Sequence, residues 1–287
     1  MTVAAIGARR RISPRRVAAL VALAVVGLIY LLPLYWLITT ALKSRGELFA
    51  SEPSLVPRAP TIAAFGEVLF QQQFLRLLIN SIIVCSVTMV LAVTLGLAIA
   101  YPLTRLAVSR SLRARVLNWA LSLRFLPPIA VVIPYAGMVN FLGLYDQPLA
   151  LIFVYTLFNL PFALWMLKGF LSEIPLEIEE AAFVDGASRW QAFRRVLLPL
   201  ARPGILASGT IIFAFAWSEF LFALILTATT SGKTFPVGVQ GLVTQFEIIW
   251  HQMAAAGVIA IAVPLTLMLI ARRYVISGLT FGVIREK

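Results

Sequence analysis

The sequence predicts an all-α membrane protein, with six transmembrane helices and one longer cytoplasmic loop folded as two short helices. Three observations point there. Hydrophobic residues make up 61% of the 287-residue chain, charged residues 13%, and mean hydropathy is +0.94. Soluble domains average about 45–50% apolar and about 25% charged, so most of this surface must face lipid. Six stretches carry almost no charge over roughly 20 residues, the length that crosses about 30 Å of hydrocarbon. The basic residues gather in alternate connections between these stretches. The same composition excludes disorder, and the single cysteine, Cys85, excludes a disulfide scaffold.

The first span runs from Val17 to Leu42, the second from Leu77 to Thr104, and the third lies within Val116–Tyr145, interrupted by Arg124. The fourth runs from Gln147 to Leu167, the fifth from Pro203 to about Thr227 with Glu219 inside it, and the sixth from Gln252 to Ala271. The chain thus divides into a basic arm (1–16), a span domain (17–272) that includes the 168–202 loop, and a tail (273–287). The basic start followed by an apolar run fits two parts of a signal peptide, but the run is 26 residues long and no small-x-small site ends it. It is read as an uncleaved first span.

Orientation follows from lysine and arginine counts in the connections. The arm, the connection around Arg105–Arg115, the 168–202 loop and the tail hold eighteen of the 24 basic residues. The other side holds five: Lys43, Arg45, Arg58, Arg76 and Lys233. Both termini are therefore expected in the cytoplasm. The net charge of +12 then reflects inner-face loops and requires no nucleic acid.

The inner loop carries the most local information. Pro175 suits a helix first turn, and Glu177, Glu179 and Glu180 suit the positive end of a helix dipole. Asp185-Gly186 signals a turn. Ser188 with Gln191 three residues on forms a capping box that starts a second helix, which places Phe193, Val196 and Leu197 on one apolar face. Pro199 and Pro203 are expected to end the segment. Such a helix pair either lies on lipid head groups or docks into a partner. Interfacial helices favour Lys and Arg on the polar face, so the acidic first helix fits a partner groove better.

At these residues the sequence resembles the permease subunits of ATP-binding-cassette importers. The spacing Glu180-Ala181-Ala182, three residues, Gly186, nine residues, Val196-Leu197-Leu198-Pro199 is similar to the EAA loop of that family, with Val196 where isoleucine is usual. Asp185-Gly186-Ala187 follows the common form. Leu42-Lys43-Ser44, Pro57-Arg58-Ala59-Pro60-Thr61, Asn80-Ser81, Pro127-Pro128, Trp217-Ser218-Glu219 and Gly278-Leu279-Thr280-Phe281-Gly282 resemble the carbohydrate-uptake branch and its shorter, six-span, maltose-type partner. The resemblance implies that 168–202 is a coupling loop inserted into a separate ATPase subunit. Glu180, Ala181, Ala182, Asp185, Gly186, Leu198 and Pro199 are then the coupling residues. It further implies a second, different permease subunit, two ATPase subunits, an external substrate-binding protein and a place in the bacterial plasma (inner) membrane. ATP and Mg would bind the ATPase, with no cofactor in this chain.

Within the spans, Glu219 is an acid in an apolar run, and such groups face a cavity or a partner. Glu219, Trp217 and Asn159 are the candidate translocation-path residues; each also has a purely structural reading, as an inter-helix hydrogen bond, core packing or a static kink. Arg124 either snorkels to the inner surface, or pairs with an acid or makes a subunit contact. Pro127, Pro128 and Pro134 are expected to distort the third span, and Asn159 with Pro161 to break the fourth. Gly232-Lys233-Thr234 mimics the end of a P-loop, but Thr227 stands where the first glycine is required. His251 has only Glu247 near it in sequence, too few ligands for a zinc site. No catalytic residues are expected. An ion-coupled secondary transporter is the competing class, but it often shows inverted repeats and paired charges, and a non-sugar solute such as a glycerol phosphodiester is the competing substrate. A membrane enzyme would need clustered acids or nucleophiles, and none is evident.

Overall fold

A computed structural model describes residues 14–280, apart from 51, 53, 72 and 244–248. The arm's Arg9, Arg10 and Arg11, the motif residues Phe281 and Gly282, and the tail's Arg285 and Lys287 lie outside the described residues, as does Glu247. The elements in order are α1 (Pro14–Ala41), α2 (Arg45–Leu48), α3 (Ala63–Gly66), a π-helical turn (Glu67–Gln71), α4 (Phe74–Arg105), α5 (Arg110–Arg124), α6 (Pro128–Phe141) and α7 (Pro148–Glu173). Then come α8 (Leu176–Val184), α9 (Arg189–Ala192), a second π-helical turn (Phe193–Leu197), α10 (Leu198–Trp217), α11 (Leu221–Leu226), α12 (Phe235–Gln240) and α13 (Trp250–Thr280). Five helical stretches are long and apolar enough to cross a membrane, or six if α5 and α6 together form one span.

The chain forms two compact units. One comprises Trp250–Val258 and the chain up to Phe65; the other comprises Gly66–Ile249 with the chain from Ile259 onward. In the first unit, α1 is apolar on all sides, and from Val17 to Tyr35 its side chains stay largely exposed, as a lipid- or subunit-facing helix requires. Beyond its C-terminus the connection turns back on itself. Lys43 is buried, its Nζ donating to the Ser54 carbonyl and standing 5.1 Å from the Trp36 ring centre. The Glu47 carboxylate accepts the Ser54 hydroxyl at 2.6 Å and the Arg58 N–H at 2.9 Å, and these bonds hold its pKa below the usual value.

In the second unit α4, α7 and α10 pack together. The α4–α7 contact uses small residues four apart: Ala92, Gly96 and Ala100. A Cβ on Gly96 would stand 2.8 Å from the Ala163 Cβ and 3.1 Å from its carbonyl carbon. Small residues at this spacing let two backbones approach closely where lipid supplies no hydrophobic drive. One end of the core holds Cys85, Tyr155, Phe213, Trp217 and Phe222. The other holds Leu103, Leu164, Leu171, Leu197 and Ala201.

Five expectations need correction. The third span does bend at the expected Pro127-Pro128 distortion, by 96° between α5 and α6, but Pro134 lies inside α6 without a break. Arg124 ends α5, its guanidinium carbon 5.0 Å from the Phe215 ring centre and 5.7 Å from that of Phe162. The fourth span does not break at Asn159–Pro161: α7 continues through Pro161 to Glu173. A proline removes one backbone bond, and surrounding packing on both core clusters keeps the rest. The fifth span does not contain Glu219: α10 ends at Trp217, and Glu219 precedes α11. Finally, Pro199 and Pro203 do not end the loop's second helix, because Arg189–Trp217 is one helical stretch. Pro199 has no N–H for the Arg195 carbonyl, and the turn before it widens, with the Leu198 N–H bonding the Phe193 carbonyl. The last helix also outruns its expected end, continuing past 272 to Thr280.

Candidate coupling loop

The loop leaves α7 at Ile174 and enters α8 through Pro175, whose restricted φ suits a helix entry and which sits as N-cap at φ −56°. Glu177 and Glu179 stand in the first turn of α8, where the helix dipole favours acids. The helix closes as a Schellman motif: the Ala187 N–H bonds the Ala182 carbonyl at 2.9 Å and the Gly186 N–H bonds the Phe183 carbonyl at 3.0 Å. Gly186 takes φ +84°, the left-handed angle this motif needs. A Cβ placed there would meet no atom within 4 Å. Ser188 then caps α9, its Oγ accepting the Gln191 N–H at 3.3 Å while Gln191 Oε1 accepts the Ser188 N–H at 2.8 Å. The capping box read from the sequence is therefore present.

The residues expected to meet a partner are mostly exposed. Glu180, Ala181, Asp185, Gly186 and Pro199 are exposed; Ala182 and Leu198 are half-buried. Around them Leu176, Ile178, Phe183 and Trp190 also show apolar surface, and Val184 is 88% exposed. Trp190 stacks on Phe193 at 5.5 Å, and Phe193 meets Tyr101 edge-on at 5.0 Å, fixing the start of the second helix against α4.

One acid behaves differently. Glu179 is 3% exposed. Its Oε1 accepts the Tyr101 hydroxyl at 2.8 Å, and its Oε2 lies 3.2 Å from Arg105 Nε. Arg105 Nη2 donates to the carbonyls of Leu171 and Ile174, each at 2.8 Å. Sequence reasoning missed this cluster. Glu177, Glu179 and Glu180 look alike in a linear reading, and the only signal was that Arg105 ends the second uncharged stretch.

The candidate path residues lie elsewhere in the second unit. Asn159 is buried and its Nδ2 donates to the Tyr155 carbonyl one turn back at 2.8 Å. Trp217 is 6% exposed, donates from its indole nitrogen to the Ala260 carbonyl at 3.0 Å, and stacks between Phe213 and Phe235. Glu219 is half-buried and stands one residue before the N-cap of α11, its carboxylate accepting the first-turn N–H groups of Phe222 at 3.0 Å and Ala223 at 3.4 Å. The three are not brought together into one polar cluster.

At the opposite end of α4 from Arg105, a second set of polar side chains fixes residues 228–235. Asp146 accepts the N–H groups of Ala228 and Thr229 at 2.8 and 2.9 Å and the Thr229 hydroxyl at 2.5 Å. Asn80 Nδ2 lies 3.1 Å from the carbonyls of Thr230, Ser231 and Lys233, and Ser81 Oγ accepts the Phe235 N–H at 2.7 Å. Asn80-Ser81 is thus a clamp on a distant loop. Partial burial works against the Asp146 charge, but the bonds from Thr229 and Ala228 outweigh it and hold the carboxyl below its usual pKa. Among the described residues no three His, Cys, Asp or Glu side chains converge where a metal ion would fit.

Residues 92–280 match the family described as binding-protein-dependent transport system inner membrane component. The chain belongs to that family. Relatives include the trehalose transport system permease protein SugB of Mycobacterium tuberculosis, 36% identical over 89% of this chain and 92% of that one. The sulfoquinovosyl glycerol transport system permease protein SmoH of Agrobacterium fabrum is 33% identical over 88% of each. The trehalose/maltose transport system permease protein MalG of Thermococcus litoralis is 31% identical over 94% of this chain and 97% of that one. Among solved structures, a bacterial ABC transporter that imports the acidic polysaccharide alginate superposes with a TM-score of 0.77 at 18% identity, over 92% of this chain and 99% of that one, which establishes the shared fold. The protein is a membrane-embedded permease subunit of an ABC importer, and the ion-coupled secondary transporter falls away.

Proposed function

We propose that this permease forms half of the translocation path for a sugar or sugar derivative, paired with a second, different permease subunit. In this reading both termini and the 168–202 loop face the cytoplasm. The α8 helix seats in a groove on a separate ATPase subunit through Glu180, Ala181, Ala182, Asp185 and Gly186, with Leu198 and Pro199 setting the helix that follows. ATP and Mg bind the ATPase alone, where the phosphoryl transfer occurs. An external binding protein hands substrate to the opposite face. Closure of two ATPase subunits on ATP pushes the two coupling helices together and reverses the access of the path.

The observation that carries this reading is the form of the loop. An acidic helix with an exposed apolar rim is closed by a left-handed glycine and anchored on one side by Glu179. That is the shape of a docking helix. The substrate class rests on the relatives, whose named substrates are trehalose, maltose and sulfoquinovosyl glycerol. Of the path candidates, Asn159 and Trp217 support the path from within the packed interior. Glu219 holds the break between α10 and α11 beside it.

The test is reconstitution of the chain with its second permease, ATPase and binding protein in proteoliposomes. Uptake of labelled disaccharide is expected only with ATP and binding protein together. Uptake driven by an ion gradient without the ATPase would refute the coupling reading, and uptake of a glycerol phosphodiester in place of sugars would refute the substrate class.

A further inference from the structure

We propose that the buried Arg105–Glu179 pair is the positioning link through which movement of α8 reaches the spans, and that it stays closed throughout transport. The inference rests on the coupling reading of the loop and adds the route by which the stroke travels.

Three acids lie on α8, yet only Glu179 turns inward; Glu177 and Glu180 are exposed. The Glu179 and Arg105 side chains are 4% and 5% exposed. The single guanidinium of Arg105 joins three elements: it ends α4, bonds the carbonyls of Leu171 and Ile174 at the end of α7, and faces the carboxylate of α8. Tyr101, one turn earlier on α4, adds a hydrogen bond to the same carboxylate. Parting two buried charges leaves each without its partner in a poor solvent for ions, so the pair resists opening.

Without this link, α8 keeps its short connections at Ile174-Pro175 and Asp185–Ser188 and its packing on the turns at 189–197, but has no charged tie to the ends of α4 and α7. A push on its exposed face would then be absorbed by tilting. With the link, α8 moves with the ends of α4 and α7. Those two helices are locked along the seam of Ala92, Gly96, Ala100 and Ala163. The far end of α4 grips residues 230–235 through Asn80 and Ser81. One rigid path therefore runs from the coupling helix to the loop clamped at the other end of α4.

The experiment uses the complete complex in proteoliposomes. Glu179→Gln keeps the size of the side chain and its place beside Tyr101 but removes the charge; Tyr101→Phe keeps the ion pair and removes one bond. Three quantities are read: ATPase co-purification, binding-protein-stimulated hydrolysis, and substrate taken up per ATP. Glu179→Gln is expected to keep the first two and lower uptake per ATP about tenfold, the equivalent of about 1.4 kcal/mol of coupling. Tyr101→Phe is expected to lower it about two- to threefold, as loss of one hydrogen bond would.

A second arm replaces both partners by cysteine, Arg105→Cys with Glu179→Cys, in a Cys85→Ala background. A flexible bis-methanethiosulfonate reagent then bridges the pair. Uptake per ATP is expected to be low before bridging and restored after it. Normal uptake per ATP in Glu179→Gln would overturn the proposal, as would abolition of transport by the bridge. Loss of ATPase co-purification in Glu179→Gln would also overturn it, while leaving the coupling loop in place with Glu179 as part of the docking surface. Failure of the coupling reading itself would show instead as a wild-type response in Gly186→Val.

Discussion

Replacing Gly186 isolates one physical term. The glycine sits at φ +84°, and a Cβ there would have open space around it, so within this chain a side chain adds backbone strain and no clash. For an L-residue the left-handed region costs roughly 1–2 kcal/mol, and a β-branched residue pays at the upper end or above. The alternative is to release the strain by opening the Schellman closure. That breaks the Ala187–Ala182 and Gly186–Phe183 bonds, about 1 kcal/mol each. Either way about 1–3 kcal/mol opposes the docking shape of α8, and each 1.4 kcal/mol lowers affinity tenfold. Asparagine tolerates the left-handed region best among non-glycine residues, so the loss should follow the order Gly186→Asn, Gly186→Ala, Gly186→Val. The assay is titration of detergent-solubilised complex with its ATPase subunit, followed by binding-protein-stimulated hydrolysis, with membrane expression unchanged in all three. Equal losses in the three variants would refute the strain argument and point to crowding against the partner. Wild-type affinity together with full stimulated hydrolysis in Gly186→Val would refute the coupling role of this loop.

Gly96→Val forces a side chain into the Ala163 Cβ and the backbone of residues 163–164. Overpacking of this kind should cost about 1–3 kcal/mol or more, read as a lower thermal midpoint in detergent; an unchanged midpoint would mean that α4 and α7 are not locked there. Trp217→Phe removes the bond to Ala260 and should destabilise by roughly 1–3 kcal/mol through the carbonyl left unpaired, with substrate selectivity unchanged; altered selectivity would restore Trp217 to the path. The Asp146 carboxyl is held below its ordinary value. Its contribution to the 228–235 loop is complete above the unfolded pKa of about 4 and is lost as pH falls through the lower folded value. The amide protection factors of that loop, corrected for the intrinsic pH dependence of exchange, should therefore fall in acid in the wild type, while in Asp146→Asn they are lower at neutral pH and flat with acid; equal profiles in the two proteins would contradict this.

The elements legible in the sequence are those with one-dimensional causes. Hydropathy marks α1, α4, α7 and α13 because lipid rewards an unbroken apolar run, and Ser188–Gln191 marks a cap because both partners lie within one turn. The elements that escaped depend on partners far along the chain. Nothing in Trp217–Leu221 carries a glycine or proline, so a linear reading continues the span through Glu219. The structure stops the helix at Trp217, two residues before the acid, and the Glu219 carboxylate accepts the Phe222 N–H in the first turn of α11. Prolines mislead in the other direction. Pro134, Pro161 and Pro203 each remove one backbone bond yet sit inside continuous helices, because an apolar surround leaves the remaining carbonyls no better partner than the helix itself. Glu179 shows why the inner anchor was illegible. Its neighbours Glu177 and Glu180 have the same chemistry, and the 100° turn between successive residues decides which of them meets α4. That register is set by where Arg105 and Tyr101 stand at the end of another helix. The acids left exposed and the acid kept for the fold differ by a rotation alone, so the proposed docking surface and its anchor are two faces of one helix.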